Sequence, residues 1–81
     1  MEELPISVPQ LGVVEAVTVV EWLIADGDPV EAGQAVVIIE TEKAETELEA
    51  PAPGRLRIRV EADPDREIPV GTVLAGVVTE P

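Results

Sequence analysis

The stretch Ile38-Ile39-Glu40-Thr41-Glu42-Lys43-Ala44-Glu45-Thr46-Glu47-Leu48-Glu49-Ala50 decides how the chain folds. On its far side Ala44, Thr46, Leu48 and Ala50 alternate with Glu45, Glu47 and Glu49, the period of a half-solvated strand. On its near side Ala35 to Glu40 is a second apolar segment. Only two or three polar residues separate the segments, which is the spacing of a tight β-hairpin. Lys43 falls at the tip and is the only lysine of the chain. The other basic residues are Arg55, Arg57, Arg59 and Arg66.

Working outward, the same grammar repeats. Six glycines and eight prolines punctuate the 81 residues, and no apolar pattern of period 3.6 lasts three turns. Helix is therefore expected to be nearly absent. Strands are predicted at Leu4 to Val8, Ala16 to Ile24, Ala35 to Glu40, Ala44 to Ala50, Arg55 to Val60 and Val73 to Val78, with short segments at Val30 and at Ile68-Pro69-Val70-Gly71. In the second strand Val17, Val19, Glu21 and Leu23 are expected on one face, and Thr18, Val20, Trp22 and Ile24 on the other. Asp26-Gly27-Asp28-Pro29, Pro51-Ala52-Pro53-Gly54 and Ala62-Asp63-Pro64-Asp65 read as turns. Gly12, Gly33, Gly54 and Gly71 are most simply turn glycines with positive φ.

The halves also match each other. A shift of 38 positions lays Val20 on Ile58, Trp22 on Val60, Val30 on Ile68, Gly33 on Gly71 and Val36 on Leu74. The predicted fold is all-β: a flattened barrel or sandwich of two four-stranded antiparallel sheets with quasi-twofold symmetry, burying two thin faces and hiding most sheet edges. Residues 1–81 read as one small domain, with a linker beginning near 79–81. The repeat places Lys43 in the link between the halves, at the far end from the termini.

Composition narrows the function. The net charge of −12 makes nucleic acid and anionic membrane poor partners, and self-repulsion favours a monomer. With no cysteine and no histidine, thiolate metal sites, cysteine nucleophiles and histidine acid–base catalysis are excluded. No apolar run approaches a membrane-spanning length, and Met1-Glu2-Glu3-Leu4-Pro5 is acidic where a targeting peptide is basic. A cytoplasmic protein of bacterial type is expected. Trp22 reads as core, and the Arg55, Arg57 and Arg59 stripe as a balance for neighbouring acids.

A lone lysine is weak evidence by itself, because most lysines are solvated surface residues. The flanking residues add to it. Pro9-Gln10-Leu11-Gly12 resembles P-x-L-G, and Trp22-Leu23 with Asp26-Gly27-Asp28-Pro29-Val30 resembles W-L-x-x-G-D-x-V. Ile39-Glu40-Thr41-Glu42-Lys43-Ala44 resembles I-E-T-D-K-A, Ala50-Pro51 with Gly54 resembles A-P-x-x-G, and Val70-Gly71 with Leu74-Ala75 resembles V-G-x-x-L-A. In this order they resemble the lipoyl domain of 2-oxo acid dehydrogenase complexes, a branch of the biotinyl/lipoyl attachment family. The chain departs from that pattern at Glu42, usually Asp, at Val13-Val14-Glu15-Ala16 and at Asp63-Pro64-Asp65-Arg66.

The resemblance implies a carrier with no catalytic residue of its own, of the kind found in a dihydrolipoyl acyltransferase subunit. Lipoic acid would be amide-linked to Lys43 by a lipoate ligase or lipoyl transferase, with Glu40, Glu42, Ala44 and Glu45 as flanking recognition residues. The arm would then serve a thiamine-diphosphate 2-oxo acid decarboxylase, the acyltransferase catalytic domain and dihydrolipoamide dehydrogenase. Glu40 and Glu45 are expected to face each other, a like-charge cost beside the attachment site that suggests they are read by a partner. Glu47 and Glu49 read as a solvated face. The alternatives are a biotinyl carrier, whose family resembles A-M-K-M around its lysine, and an unmodified acidic β-module that binds through a sheet edge.

Overall fold

The computed structural model describes residues 2–10, 12–13 and 15–79. Eight strands run in the order β1 (Glu3–Ser7), β2 (Ala16–Trp22), β3 (Pro29–Val30), β4 (Ala35–Glu40), β5 (Glu45–Glu49), β6 (Gly54–Ile58), β7 (Asp63–Pro69) and β8 (Val73–Val78). They form two four-stranded sheets, β1-β8-β6-β3 and β5-β4-β2-β7, and every pairing is antiparallel. The described residues contain no helix, as the absence of a 3.6 period predicts.

The sheet order carries the repeat. Shifting by 38 residues turns β2, β4 and β5 into β6, β8 and, past the chain ends, β1, so that the order β5-β4-β2-β7 becomes β1-β8-β6-β3. Each half therefore lends one strand to the other half's sheet: the two-residue β3 pairs with β6, and the seven-residue β7 with β2. Trp22 and Val60, equivalent by the shift, meet directly where the Trp22 Nε1–H donates to the Val60 carbonyl oxygen at 2.9 Å. That bond satisfies the polar end of the one indole, which otherwise packs half-buried against the core.

Between the sheets lies an aliphatic core. Val17, Val19, Val36, Val37, Ile39, Leu56, Ile68, Leu74 and Val77 are essentially inaccessible, and no polar side chain is buried with them among the described residues. The central strands β4 and β8 supply much of it: Val36, Val37 and Ile39 of one and Leu74, Ala75 and Val77 of the other are fully buried, and in each strand the adjacent buried pair falls at a register shift against its neighbour.

Three local expectations are corrected by tertiary pairing. The second strand ends at Trp22, and its register against β4 shifts between Val19 and Glu21. That bulge turns Val17 and Val19 inward before it and Trp22 and Ile24 after it, so the straight alternation fails. Residues Asp63-Pro64-Asp65 lie within β7 and are not a free turn. Their turn character survives locally: β7 advances from Asp63 to Ile68 while β2 retreats only from Val19 to Val17, and the Asp63 side chain accepts the Asp65 N–H at 2.9 Å. An outer strand can carry such a bulge and its prolines because its far side has no ladder to break.

Gly54 is the third correction. It opens β6 without a positive φ, and a Cβ there would stand 2.3 Å from the Val78 carbonyl oxygen. Its reason is close strand approach, while Gly27, inside the predicted Asp26–Pro29 turn but not among the glycines expected at positive φ, holds φ at 88° before β3.

The edges are managed by other means than closure. Each sheet keeps two outer strands, β1 and β3 in one and β5 and β7 in the other.

Candidate functional site

β4 and β5 form the predicted hairpin, with Glu40 opposite Glu45, Ile39 opposite Thr46 and Ile38 opposite Glu47. The Thr41 N–H donates to the Ala44 carbonyl at 2.9 Å, which leaves Glu42 and Lys43 as the two residues of the loop. Such loops favour type I′ or II′ turns, and both types need positive φ within the loop. No non-glycine residue here has it.

The Thr41 hydroxyl supplies the alternative. It accepts the Lys43 N–H and the Ala44 N–H, both at 3.3 Å, and donates to the Ala44 carbonyl at 3.2 Å. One side chain thus satisfies the backbone that a primed turn would otherwise arrange. The quasi-equivalent residue, Thr79, does the same where the chain ends meet: its N–H and its hydroxyl both donate to the Glu2 carbonyl, at 2.8 and 3.1 Å. The identity of Thr41 and Thr79 under the 38-residue shift was a legible signal for this role that composition and motif reading pass over. Thr41→Ala is expected to lose about 1 kcal/mol of stability. It should also speed amide exchange at Lys43 and Ala44 selectively, which heteronuclear NMR would detect.

Glu42, Lys43 and Ala44 are exposed, as are Glu40 and Glu45. Among the described residues the Lys43 ammonium has neither a hydrogen bond nor an ion pair. A primary amine so placed is held by a fixed backbone and is free at its reactive end. Ala44, with the smallest side chain after glycine, puts nothing over it. The hairpin flanks an open groove of about 750 Å³ whose lining includes Val13, Glu15, Thr18, Glu67 and the turn residues 41–43. Val13 is 89% exposed, the most exposed large apolar side chain among the described residues.

All five residues expected at the site are therefore brought together at one end of one hairpin. Glu47 and Glu49 continue the acidic face along β5, exposed as expected. Arg55, Arg57 and Arg59 stand apart, on and just after β6 of the other sheet, where Arg59 forms an ion pair with Glu3 and Arg55 donates to the Gly27 carbonyl, while Arg66 lies on β7, the far outer strand of the hairpin's own sheet. Among the described residues no cluster of carboxylates has the geometry of a metal site. The chain has no histidine or cysteine, and the chemistry the site presents is a primary amine at a loop tip that can be acylated. An exposed, unpaired lysine on a rigid two-residue loop fits a group attached through an amide.

No individual curated protein matches the chain. The model of the biotin/lipoyl attachment family, described as "Biotin-requiring enzyme", matches residues 4–77 and so spans both sheets and the hairpin. The chain belongs to that family, whose members are non-catalytic carrier domains that bear biotin or lipoate covalently on a lysine and interact with the enzymes of their complexes.

Proposed function

We propose that Lys43 carries lipoate and that the chain is the lipoyl carrier of a 2-oxo acid dehydrogenase complex. The observation that carries this reading is the exposed, unpaired Lys43 amine between Glu42 and Ala44 on a two-residue loop. The same flanks favour lipoate over biotin, since the methionines that resemble the biotinyl pattern are replaced and the only methionine is Met1. Bound lipoate supplies a dithiolane that accepts acyl groups and electrons. The chain's own residues do the rest. The Thr41-organised turn fixes where the arm begins, the four-carbon lysine stem adds reach, and acylation removes the positive charge of the only lysine beside the local acids.

The partners of this reading are a lipoate ligase or lipoyl transferase, a thiamine-diphosphate decarboxylase, an acyltransferase catalytic domain and dihydrolipoamide dehydrogenase. Glu40 and Glu45, opposed across the ladder, make the end of the hairpin locally anionic at some cost in stability. A basic rim on the decarboxylase would relieve that cost on docking. Reductive acylation of the lipoylated protein tests both the function and this recognition. Glu40→Gln with Glu45→Gln should slow it roughly tenfold at low salt and less at high salt, while stability stays within about 0.5 kcal/mol. Equal rates for variant and parent would reduce the two acids to a solvated face, and no acylation of the parent by any 2-oxo acid decarboxylase would remove the proposed role.

A further inference from the structure

The four outer strands are unequal. β3 is two residues long, β1 carries Pro5 at its centre, and β7 carries Pro64 and Pro69 and bulges away from β2. Each feature blocks or shortens an added ladder. β5 has none of them: its five residues lack proline, and the extra residue at its one register shift belongs to β4. It is the only outer strand among the described residues left open for pairing.

Ladder parity tells which atoms it offers. The Thr41/Ala44 pair is hydrogen-bonded, so the next such pairs are Ile39/Thr46 and Val37/Leu48. The N–H and C=O groups of Glu45, Glu47 and Glu49 consequently point away from β4, along the open edge. The side chains of the same three residues are exposed on the outer face, and each is a carboxylate. A second copy of this strand would set Glu against Glu, so the acids bar the simplest self-pairing. They suit instead a strand with a cation at every second position. The intervening residues of that strand would lie beside Thr46 and Leu48, which are half-buried at the rim of the core.

We propose that the β5 edge is a strand-addition site for an extended basic segment of a partner protein, with Lys or Arg alternating with apolar residues. Main-chain bonds to Glu45, Glu47 and Glu49 supply the binding, and their carboxylates select the sequence. The edge begins two residues beyond Lys43, so a partner gripping it also holds the hairpin tip in a defined place. The site belongs to the polypeptide alone and stands whether or not Lys43 is modified.

A capped peptide alternating Lys and Val is the probe, with amide exchange of the unmodified protein followed by NMR. The amides of Glu45, Glu47 and Glu49 should slow roughly tenfold or more, while those of Thr46 and Leu48, already bonded to β4, should change little. The same peptide N-methylated on the edge that would face β5 keeps its charge but should give no protection, and a Glu-Val peptide should give none either. Protection by the N-methylated peptide equal to that of its parent would reduce the effect to charge attraction and overturn the proposal. Absence of protection by the Lys-Val peptide, or protection confined to another edge, would overturn it as well.

Discussion

Leu56→Ala is expected to cost about 2–5 kcal/mol, enough to leave the domain partly unfolded at room temperature. Leu56 is fully buried on β6, an inner strand of its sheet, opposite Val77 of β8. Its backbone is equally committed: the N–H donates to Asp28 O at 3.0 Å and the carbonyl accepts from Gly27 N at 2.7 Å. Such a strand cannot shift to fill the void without breaking ladders on both sides, so most of the cavity should persist. A domain of 81 residues is stable by only about 4–12 kcal/mol in total. The loss is therefore a large share, and no disulfide exists to cushion it. Urea unfolding followed by Trp22 fluorescence would measure it, since the indole packs on the same core. A midpoint close to that of the parent would mean that the core tolerates repacking this narrow stack does not suggest.

Lys43→Arg is expected to abolish covalent modification without changing the fold. The substitution keeps a positive charge and a long stem at an exposed position that packs on nothing, so stability should move by no more than about 0.5 kcal/mol. Chemically the change is total. A guanidinium stays protonated at any accessible pH and offers no lone pair to an activated carboxyl, whereas an ε-amine can lose its proton and attack. There is no second lysine to take over. The variant should unfold like the parent and remain unmodified beside any ligase.

Much of this was legible beforehand, for physical reasons that differ by element. β5 and β8 end close to where the sequence places them, because strict alternation in one and an apolar run in the other answer directly to burial against the core. The repeat was legible because the turn glycines Gly33 and Gly71 and the apolar positions between them recur at a fixed distance. The bulge in β2 was not, since it is set by register against β4, and no residue of β2 encodes it alone. The Asp63-Pro64-Asp65 segment carries sound turn chemistry that pairing with β2 absorbs into an irregular outer strand. Gly54 looked like any other turn glycine because the Val78 carbonyl it accommodates is 24 residues away in sequence. At the site, Lys43 and its acidic neighbours could be read directly from the motif. The Thr41 hydroxyl could not, because its work is local geometry and not composition.

Whether Lys43 is a lipoyl attachment point is decided by intact mass. Parent and Lys43→Arg would each be expressed beside a lipoate ligase and a biotin ligase, with both acids supplied, and then weighed. The parent should gain a single lipoyl group, located to Lys43 by fragmentation, and the variant should stay unmodified. A biotin-sized addition, an unchanged parent, or a modified Lys43→Arg protein would contradict the assignment.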